Sequence, residues 1–320
     1  MVNVTVGIDI GGTNTVFGFI DESGNCLFED RISTGDYEKP EAFVIAISKR
    51  IKSAAESNFF NLTGIGIGAP NANYYSGAIE DAPNLQWKGR IYISDLFRKH
   101  FDVLVALTND ANAAALGEMI YGAAKGMKDF IVITLGTGLG SGIVSNGKLV
   151  YGHDGHAGEL GHTIVDHDGR LCGCGRKGCL ETYASATGIV TTVIQMLEGS
   201  DRPSVLADIN ESEISSELIY KAAEKGDEIA LAAFEYTGKI LGRKLADTIA
   251  LTSPEAIFLY GGLANAGKYI FAPTQYHIEK NLLNVFRNKV RLLQSGLIDR
   301  NAAVLGAAAI AVSMTDNLGS

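Results

Sequence analysis

A histidine and three cysteines lie close together near the middle of the sequence. His162 is followed ten residues later by Cys172, and then by Cys174 and Cys179. One imidazole and three thiolates form a closed tetrahedral ligand set for zinc. The segment between them is too polar and glycine-rich to fold by burial, so a metal ion would order it. We therefore predict a structural zinc site, against the alternative of three reduced surface thiols. The histidine ligand stays open, because three further histidines are close by: His153, His156 and His167.

Two glutamates flank this cluster. Glu159 lies three residues before His162, and Glu181 lies two residues after Cys179. Ordering of the loop by a metal would also fix these two carboxylates. Carboxylates accept hydrogen bonds on both oxygens, which suits neighbouring sugar hydroxyls. We predict that Glu159 and Glu181 bind a carbohydrate, against the alternative of two solvated side chains.

Two glycine turns are candidates for binding phosphate. Gly11-Gly12-Thr13 and Gly136-Thr137 each join two apolar, β-branched runs. The pattern GxxxxGK[ST] is absent, and each turn leads into a strand rather than a helix, which argues against a P-loop or a Rossmann site. Exposed backbone N–H groups in such turns bind phosphate oxygens without basic side chains. We predict that the turns hold a triphosphate, and the alternative is that the glycines only permit tight turns. Asp9, just before the first turn, is a candidate ligand for Mg²⁺.

Asp110, in the segment LTNDAN, is the candidate catalytic base. The pattern predicts that a strand ends and a helix begins here, which is where α/β folds place ligands. The positive end of the helix favours the ionised carboxylate. We predict that Asp110 accepts a hydroxyl proton during phosphoryl transfer. The alternative is that it only caps the helix.

The elements that must position these residues alternate between strands and helices. Such alternation predicts an α/β architecture. Strand–turn–strand meanders are predicted over 2–35 and 129–152, a helix over 40–57, a strand over 62–70, a strand and helix over 103–126, helices over 183–200 and 212–252, a strand, turn and helix start over 254–270, and an Ala-rich helix at the end of 290–314.

The two meanders resemble each other. Gly12-Thr13 aligns with Gly136-Thr137 when the first meander is set against the second. This similarity predicts a duplicated domain, against the alternative of two unrelated hairpins.

Composition and charge exclude several classes of protein. The 320 residues include 27 Lys and Arg against 36 Asp and Glu, a net charge of −9. An acidic chain without a basic run is a poor ligand for nucleic acid, because phosphate contacts dominate that affinity. We expect neither a signal peptide in the first residues nor an apolar run long enough to span a bilayer. A tight cysteine cluster is typical of a reducing compartment. We expect a cytoplasmic protein that binds neither nucleic acid nor membranes.

Together these segments resemble the ROK family of sugar kinases and repressors, within the actin-like ATPase superfamily. The resemblance extends over nearly the whole chain. It rests on IDIGGTN (8–14), GIGIGAPN (64–71), APNLQW (82–87), TNDANAAALGE (108–118), LGTGLGSG (135–142), LYGGL (259–263), and above all GELGH (158–162) with CGCGRKGCLE (172–181). It implies two actin-like, or ribonuclease H-like, α/β domains around a hinged cleft. The N-terminal domain would comprise 1–118 plus 303–320, and the C-terminal domain with the zinc loop would comprise 119–302.

The resemblance also implies an ATP-dependent hexose kinase, with glucose as the first expected substrate and a homodimer as the expected assembly. Asp110 would be the base for the sugar 6-hydroxyl. The sugar would be bound by Asn84, Asn109, Asp110, Glu159, His162 and Glu181. The nucleotide would be bound by Asp9 with Mg²⁺, by Gly11, Gly12, Thr13, Gly136 and Thr137 at the phosphates, and by Gly261 and Gly262 at the adenosine. Zinc would be bound by His162, Cys172, Cys174 and Cys179.

Two alternatives to a glucokinase remain open. The same polar residues suit an N-acetylhexosamine (N-acetylglucosamine or N-acetylmannosamine) kinase if the pocket beside C2 is wider. Family repressors carry a DNA-binding domain before the IDIGGT segment, and here that segment begins at residue 8. We therefore rank a sugar-sensing repressor without its DNA-binding domain below a kinase.

Overall fold

The computed structural model describes residues 1–199, 202–297 and 301–318. The chain forms two compact units. The first consists of Met1–Gly126, Leu149–Ala157 and the described part of 296–318. The second consists of Met127–Lys148 and the described part of 158–295.

The strands and helices of the described residues follow in chain order. Through residue 126 they are β1 (Val2–Ile10), β2 (Asn14–Ile20), β3 (Cys26–Ser33), α1 (Pro40–Ser57), β4 (Phe60–Gly68), β5 (Ala72–Asn73), β6 (Ala78–Glu80), β7 (Arg90–Ile91), α2 (Ile93–Arg98), β8 (Leu104–Thr108) and α3 (Asp110–Tyr121). From residue 127 they are β9 (Phe130–Leu135), β10 (Leu139–Ser145), β11 (Lys148–Leu149), α4 (Ala186–Glu198), α5 (Ser216–Glu224), α6 (Glu228–Thr252), β12 (Ala256–Tyr260), α7 (Lys268–Asn281), β13 (Arg291–Gln294) and α8 (Ala302–Leu318).

The two large sheets have the same topology. One has the strand order β3-β2-β1-β4-β8, and the other has the order β11-β10-β9-β12-β13. In each sheet the first strand pairs antiparallel with the second strand of its meander. The same first strand pairs parallel with the strand that follows later in the chain. The predicted duplication is therefore confirmed, and both glycine turns occupy the same place in their sheets.

Local patterns predicted several elements closely. Helix α1 has the predicted bounds, with Pro40 in its first turn, where the missing N–H of proline costs no hydrogen bond. The predicted strand over 62–70 is β4. The helix predicted from residue 183 begins at Ala186, because the Ser185 side chain accepts a hydrogen bond from the Gly188 N–H and caps it. Its predicted end at residue 200 lies outside the described residues.

The helical region predicted over 212–252 is interrupted. Helix α5 ends at Glu224, and Gly226 has a φ of 83° that few other residues adopt. Asp227 then caps α6 by accepting a hydrogen bond from the Ala230 N–H. The interruption follows from these two residues, since each favours a break in the helix.

Helix α8 packs directly on the first sheet. Gly7 of β1 and Gly66 of β4 are register partners. A Cβ atom at Gly7 would overlap the carbonyl oxygen of Val304, and one at Gly66 would overlap that of Ala307. The glycine pair therefore creates the space in which the backbone of α8 lies.

The first unit continues beyond residue 118, the predicted end of its first segment. Residue 118 lies inside α3, which runs to Tyr121. Leu149–Ala157 also belongs to this unit. The Tyr151 ring stacks on that of Tyr74 with 4.0 Å between centroids, and the Tyr75 hydroxyl donates to the Gly152 carbonyl at 3.0 Å. None of the described helices combines the length and apolar character that crossing a bilayer requires.

Candidate active site

The four predicted metal ligands form one cluster in the second unit. Their donor atoms all lie within 4.8 Å of one another. The Cys172 Sγ lies 3.7 Å from the His162 Nδ1, and the Cys174 and Cys179 Sγ atoms are 3.6 Å apart. Ligand bonds of about 2.0–2.3 Å to zinc place the corners of a tetrahedron about 3.3–3.8 Å apart. The donor set therefore fits zinc in its chemistry, and two of its separations match those of a tetrahedral site.

The other nearby histidines stand apart from this cluster. His156 lies in the first unit, where its Nε2 is 3.2 Å from the Asn73 Nδ2 and 3.7 Å from a Glu80 oxygen. Neither His153 nor His167 joins the donor set within the described residues. The open choice of histidine thus falls on His162. Since its Nδ1 faces the thiols, a bound metal would leave the Nε2 of His162 as a hydrogen-bond donor.

The segment from His162 to Cys179, which we call the metal loop, is also held by contacts within the protein. A tight turn forms where the Cys172 N–H donates to the Arg176 carbonyl at 2.8 Å. The Arg170 guanidinium donates to the Thr182 carbonyl at 2.6 Å and lies 4.5 Å from the centre of the Tyr183 ring. Burial raises the pKa of the Cys172 thiol, whereas the Arg176 N–H lowers the pKa of Cys174. A cation would offset the cost of ionising the buried thiol.

Both predicted sugar-binding glutamates lie beside predicted metal ligands. An oxygen of Glu159 is 4.0 Å from the His162 Nε2, and its side chain is 56% exposed. The Oε1 of Glu181 lies 3.8 Å from the Cys172 Sγ. Its Oε2 accepts a hydrogen bond from the Leu139 N–H at 3.0 Å, at the end of the second glycine turn. The two carboxylates therefore flank the metal cluster, and Glu181 also contacts the turn.

The first glycine turn leaves two donors available. The Gly11 N–H donates to the Asn14 carbonyl, and the Thr13 carbonyl accepts from the Thr34 N–H at 2.8 Å. Among the described residues, the N–H groups of Gly12 and Thr13 donate to no acceptor. A Cβ atom at Gly12 would overlap the Asn84 carbonyl oxygen, so the predicted Asn84 segment lies against this turn.

Asp110 begins α3 but does not cap it. The Asn109 side chain takes the cap position and accepts from the Asn112 N–H at 2.7 Å. The Asp110 Oδ1 accepts from the adjacent Ala111 N–H at 2.9 Å. The carboxylate is accessible to solvent yet surrounded by protein on most sides, and this desolvation raises its pKa. Burial, and then the negative charge of Asp110, raise the pKa of Asp9 to about 6.

The second glycine turn, like the first, has carbonyl groups that accept hydrogen bonds from the rest of its unit. The Gly136 carbonyl accepts from the Ala186 N–H at 2.8 Å, and the Thr137 carbonyl accepts from the Thr187 hydroxyl at 2.8 Å. In the described part of the chain, the N–H groups of Thr137 and Gly138 have no acceptor. Because the carbonyls are engaged and these donors are not, the turn suits an anion.

The glycines predicted at the adenosine lie near this second turn. Gly261 has a φ of 105°, and a Cβ atom there would approach the Leu135 carbonyl oxygen at 2.7 Å. Gly262 has open space around it.

Sequence reasoning missed Thr187 and the Leu139 N–H, because backbone contacts at long range leave no local pattern. It also gave no role to Glu118, although this residue ends the TNDANAAALGE segment.

These two units, each with the same meander-based sheet and the same glycine turn, define a two-domain actin-like α/β protein. The model of the ROK family matches residues 5–314. The chain belongs to the ROK family.

Curated relatives and solved structures are similar over nearly the whole chain. The Streptomyces coelicolor protein named glucokinase is 34% identical over 315 residues, which cover 97% of this chain and 98% of the relative. The structure of a ROK family glucokinase from Streptomyces griseus, in complex with glucose and AMPPNP, is 34% identical with a TM-score of 0.80, covering 97% of this chain and 99% of that one. The structure of a ROK family transcriptional regulator, a homologue of the Escherichia coli MLC protein, is 28% identical with a TM-score of 0.88. The match covers 99% of this chain and 80% of the regulator.

Proposed function

We propose that this protein is an ATP-dependent glucokinase, which converts ATP and D-glucose to ADP and D-glucose 6-phosphate. The observation that carries the proposal is Asp110, a carboxylate that begins a helix without capping it and has a raised pKa. The similarity to a glucokinase whose structure contains glucose and the ATP analogue AMPPNP supports the choice of both substrates.

In the proposed reaction the sugar 6-oxygen forms a bond to the γ-phosphorus, and the bond from that phosphorus to the bridging oxygen of ADP breaks. Asp110 orients the hydroxyl and takes its proton, which later passes to water. The transition state of phosphoryl transfer is loose, so positioning and charge neutralisation supply most of the rate. The free N–H groups of the two glycine turns would stabilise charge on the phosphate oxygens.

The metals and the remaining ligands are part of the proposal. Zinc on His162 and the three cysteines would hold Glu159 and Glu181 in place for the sugar, together with Asn84 and Asn109. Asp9 would hold Mg²⁺, which neutralises phosphate charge when bound. Gly261 and Gly262 would contact the adenosine. We also propose a homodimer, which the mass from light scattering after gel filtration would test.

A substrate panel tests the proposed function. We expect ATP-dependent phosphorylation with the highest kcat/KM for glucose, measured against mannose, fructose, N-acetylglucosamine and N-acetylmannosamine. A higher kcat/KM for either N-acetylated sugar would make the protein an N-acetylhexosamine kinase instead. The same panel with polyphosphate in place of ATP defines the phosphoryl donor.

A sugar-sensing regulator is the second candidate, because the chain superimposes on the ROK regulator with a TM-score of 0.88. A regulator would bind a sugar without turning it over. Saturable sugar binding by calorimetry, together with no ADP formation in a coupled assay, would favour that function over the kinase.

A further inference from the structure

Glu181 contacts the second glycine turn as well as the metal cluster. Its Oε2 accepts from the Leu139 N–H at 3.0 Å, while its Oε1 lies 3.8 Å from the Cys172 Sγ. A Cβ atom at Gly138 would overlap the Oε2 of Glu181. The carboxylate therefore lies against the backbone of the turn, in space that only a glycine at position 138 leaves open.

The residues that follow Glu181 hold the same turn. The Ala186 N–H and the Thr187 hydroxyl donate to the carbonyls of Gly136 and Thr137, each at 2.8 Å. The Ser185 hydroxyl donates to the Glu181 carbonyl at 2.7 Å, which links the glutamate to the start of α4. One continuous segment, 181–187, thus bonds to three backbone groups of the turn.

We propose that this segment, through Glu181 and Thr187, positions the glycine turn for nucleotide phosphates and makes nucleotide affinity depend on the metal loop. The inference rests on the proposed kinase function. Glu181 and Thr187 hold the turn so that the N–H groups of Thr137 and Gly138 are left to meet an anion. A metal ion that fixes Cys179, two residues before Glu181, fixes the carboxylate that holds the turn.

The physical reason is preorganisation. A turn held by three hydrogen bonds loses less conformational freedom when a phosphate binds than a free turn does. Release of one hydrogen bond should therefore weaken nucleotide binding without removing any group that touches the nucleotide. Loss of the Thr187 hydrogen bond should change the affinity for sugar less, because Thr187 is not one of the predicted sugar-binding residues.

The test is calorimetry of Mg²⁺–AMPPNP binding in the absence of sugar, on the full-length protein. We expect Thr187→Val, which lacks the hydroxyl, to bind AMPPNP about three- to tenfold more weakly. Thr187→Ser keeps the hydroxyl and should bind like the wild type. Gly138→Ala, which displaces the Glu181 carboxylate, should lose about tenfold or more. In turnover assays we expect the KM for ATP to rise more than kcat falls.

Zinc depletion by chelation, followed by return of Mg²⁺, should weaken AMPPNP binding in protein that circular dichroism shows to be folded. Re-addition of zinc should restore the affinity. If the variants fold but bind AMPPNP like the wild type, and depletion changes only the glucose affinity, the inference is wrong while the kinase function stands. If the wild type itself neither binds AMPPNP nor phosphorylates a sugar, both are wrong.

Discussion

Two carboxylates at the carboxyl ends of strands β1 and β8, which β4 separates in the first sheet, differ from ordinary surface aspartates. Asp9 lies in β1, and Asp110 follows β8 in the same sheet. Desolvation raises the pKa of both, and the charge of Asp110 raises the pKa of Asp9 further. Neighbouring acids with raised pKa values are a frequent mark of a functional site, because burial of such groups costs stability.

Asp110→Asn should abolish most turnover. The amide cannot accept the hydroxyl proton, so we expect kcat to fall about 10²- to 10⁴-fold while the glucose Kd stays close to that of the wild type. Stopped assays of glucose 6-phosphate and calorimetry with glucose measure the two quantities. Asp227→Asn is the matched control, because Asp227 also lies at the start of a helix and the amide keeps its cap. Near-normal kcat in Asp110→Asn would remove this residue from the mechanism.

Asp9→Asn should stabilise the protein at pH 8 when Mg²⁺ and nucleotide are absent. The folded-state pKa of about 6 lies above the ordinary 3.8, so folded protein binds this proton more tightly than unfolded protein. The contribution of this bound proton to the stability of the folded protein is complete below pH 4, and it is lost as the pH rises through about 6. Asparagine cannot ionise, so we expect a gain of about 1–3 kcal/mol at pH 8 and little change at pH 4. Thermal unfolding of the variant and the wild type at both pH values measures the change. An equal difference in Tm at pH 4 and pH 8 would exclude ionisation of Asp9 as the cause.

Among the segments of the chain, the metal loop is the one whose conformation we expect to depend most on a bound metal ion. Residues 163–179 form no helix or named strand, and their strand-like pairing consists of two isolated bridges, Ile164 with Cys179 and Leu171 with Lys177. Short bridges of this kind are weak alone, and single hydrogen bonds, such as those from the Val165 N–H to the Gly178 carbonyl and from the Arg176 guanidinium to the His162 carbonyl, add to them. A metal bond is therefore expected to supply much of the remaining stability.

We expect one zinc per chain in protein purified without chelators, measured by plasma mass spectrometry. Cys179→Ser should lower the zinc content and the Tm, because a buried hydroxyl is a poor replacement for the thiolate ligand. Cys26→Ser is the control, since Cys26 is exposed and belongs to the other unit, and it should keep full zinc content. Wild-type protein without zinc would contradict the site.

Gly66→Ala tests the packing of α8. The added methyl would overlap the Ala307 carbonyl, so either the helix or β4 must shift, at a cost of about 1–3 kcal/mol in the free energy of unfolding. Gly35→Ala is the control, because the nearest atom to a Cβ there is 4.0 Å away. Chemical denaturation of both variants measures the difference. Equal stability would mean that α8 does not lie as close to the sheet.

Features that depend on neighbouring residues in the chain could be predicted from the sequence. The bounds of α1 and the two meanders follow from spacing and turn residues, and the four predicted metal ligands fall within a short segment. The contact of Gly66 with Ala307, and that of Glu181 with Leu139, join residues far apart in the chain and carry no periodic signal. Sequence patterns also do not show that Leu149–Ala157 belongs to the first unit, because the stacking of Tyr151 on Tyr74 depends on the fold.

At the scale of the whole molecule, one buried carboxylate joins two distant parts of the chain. Glu118 of α3 is fully buried. Its Oε1 accepts from the Ala123 N–H and, 178 residues along the chain, from the Gly296 N–H, each at 2.8 Å. Ala123 lies just before the chain first leaves the first unit, and Gly296 lies where the chain returns to it for the last time. The carboxylate therefore links the end of the first segment of this unit to the start of its last segment.

Glu118→Ala should be the most destabilising of the substitutions considered for the first unit. It removes the shared acceptor of two partly buried hydrogen bonds, at about 1–3 kcal/mol each. Glu118→Gln keeps an oxygen acceptor and should cost less. Gly296→Ala should also destabilise, because its Cβ would lie 2.7 Å from the Ala123 nitrogen. Glu217→Ala is the control, since that glutamate is exposed and solvent screens its pair with Lys221. Thermal unfolding ranks the four variants, and a Glu118→Ala protein as stable as Glu217→Ala would show that the junction does not depend on this carboxylate.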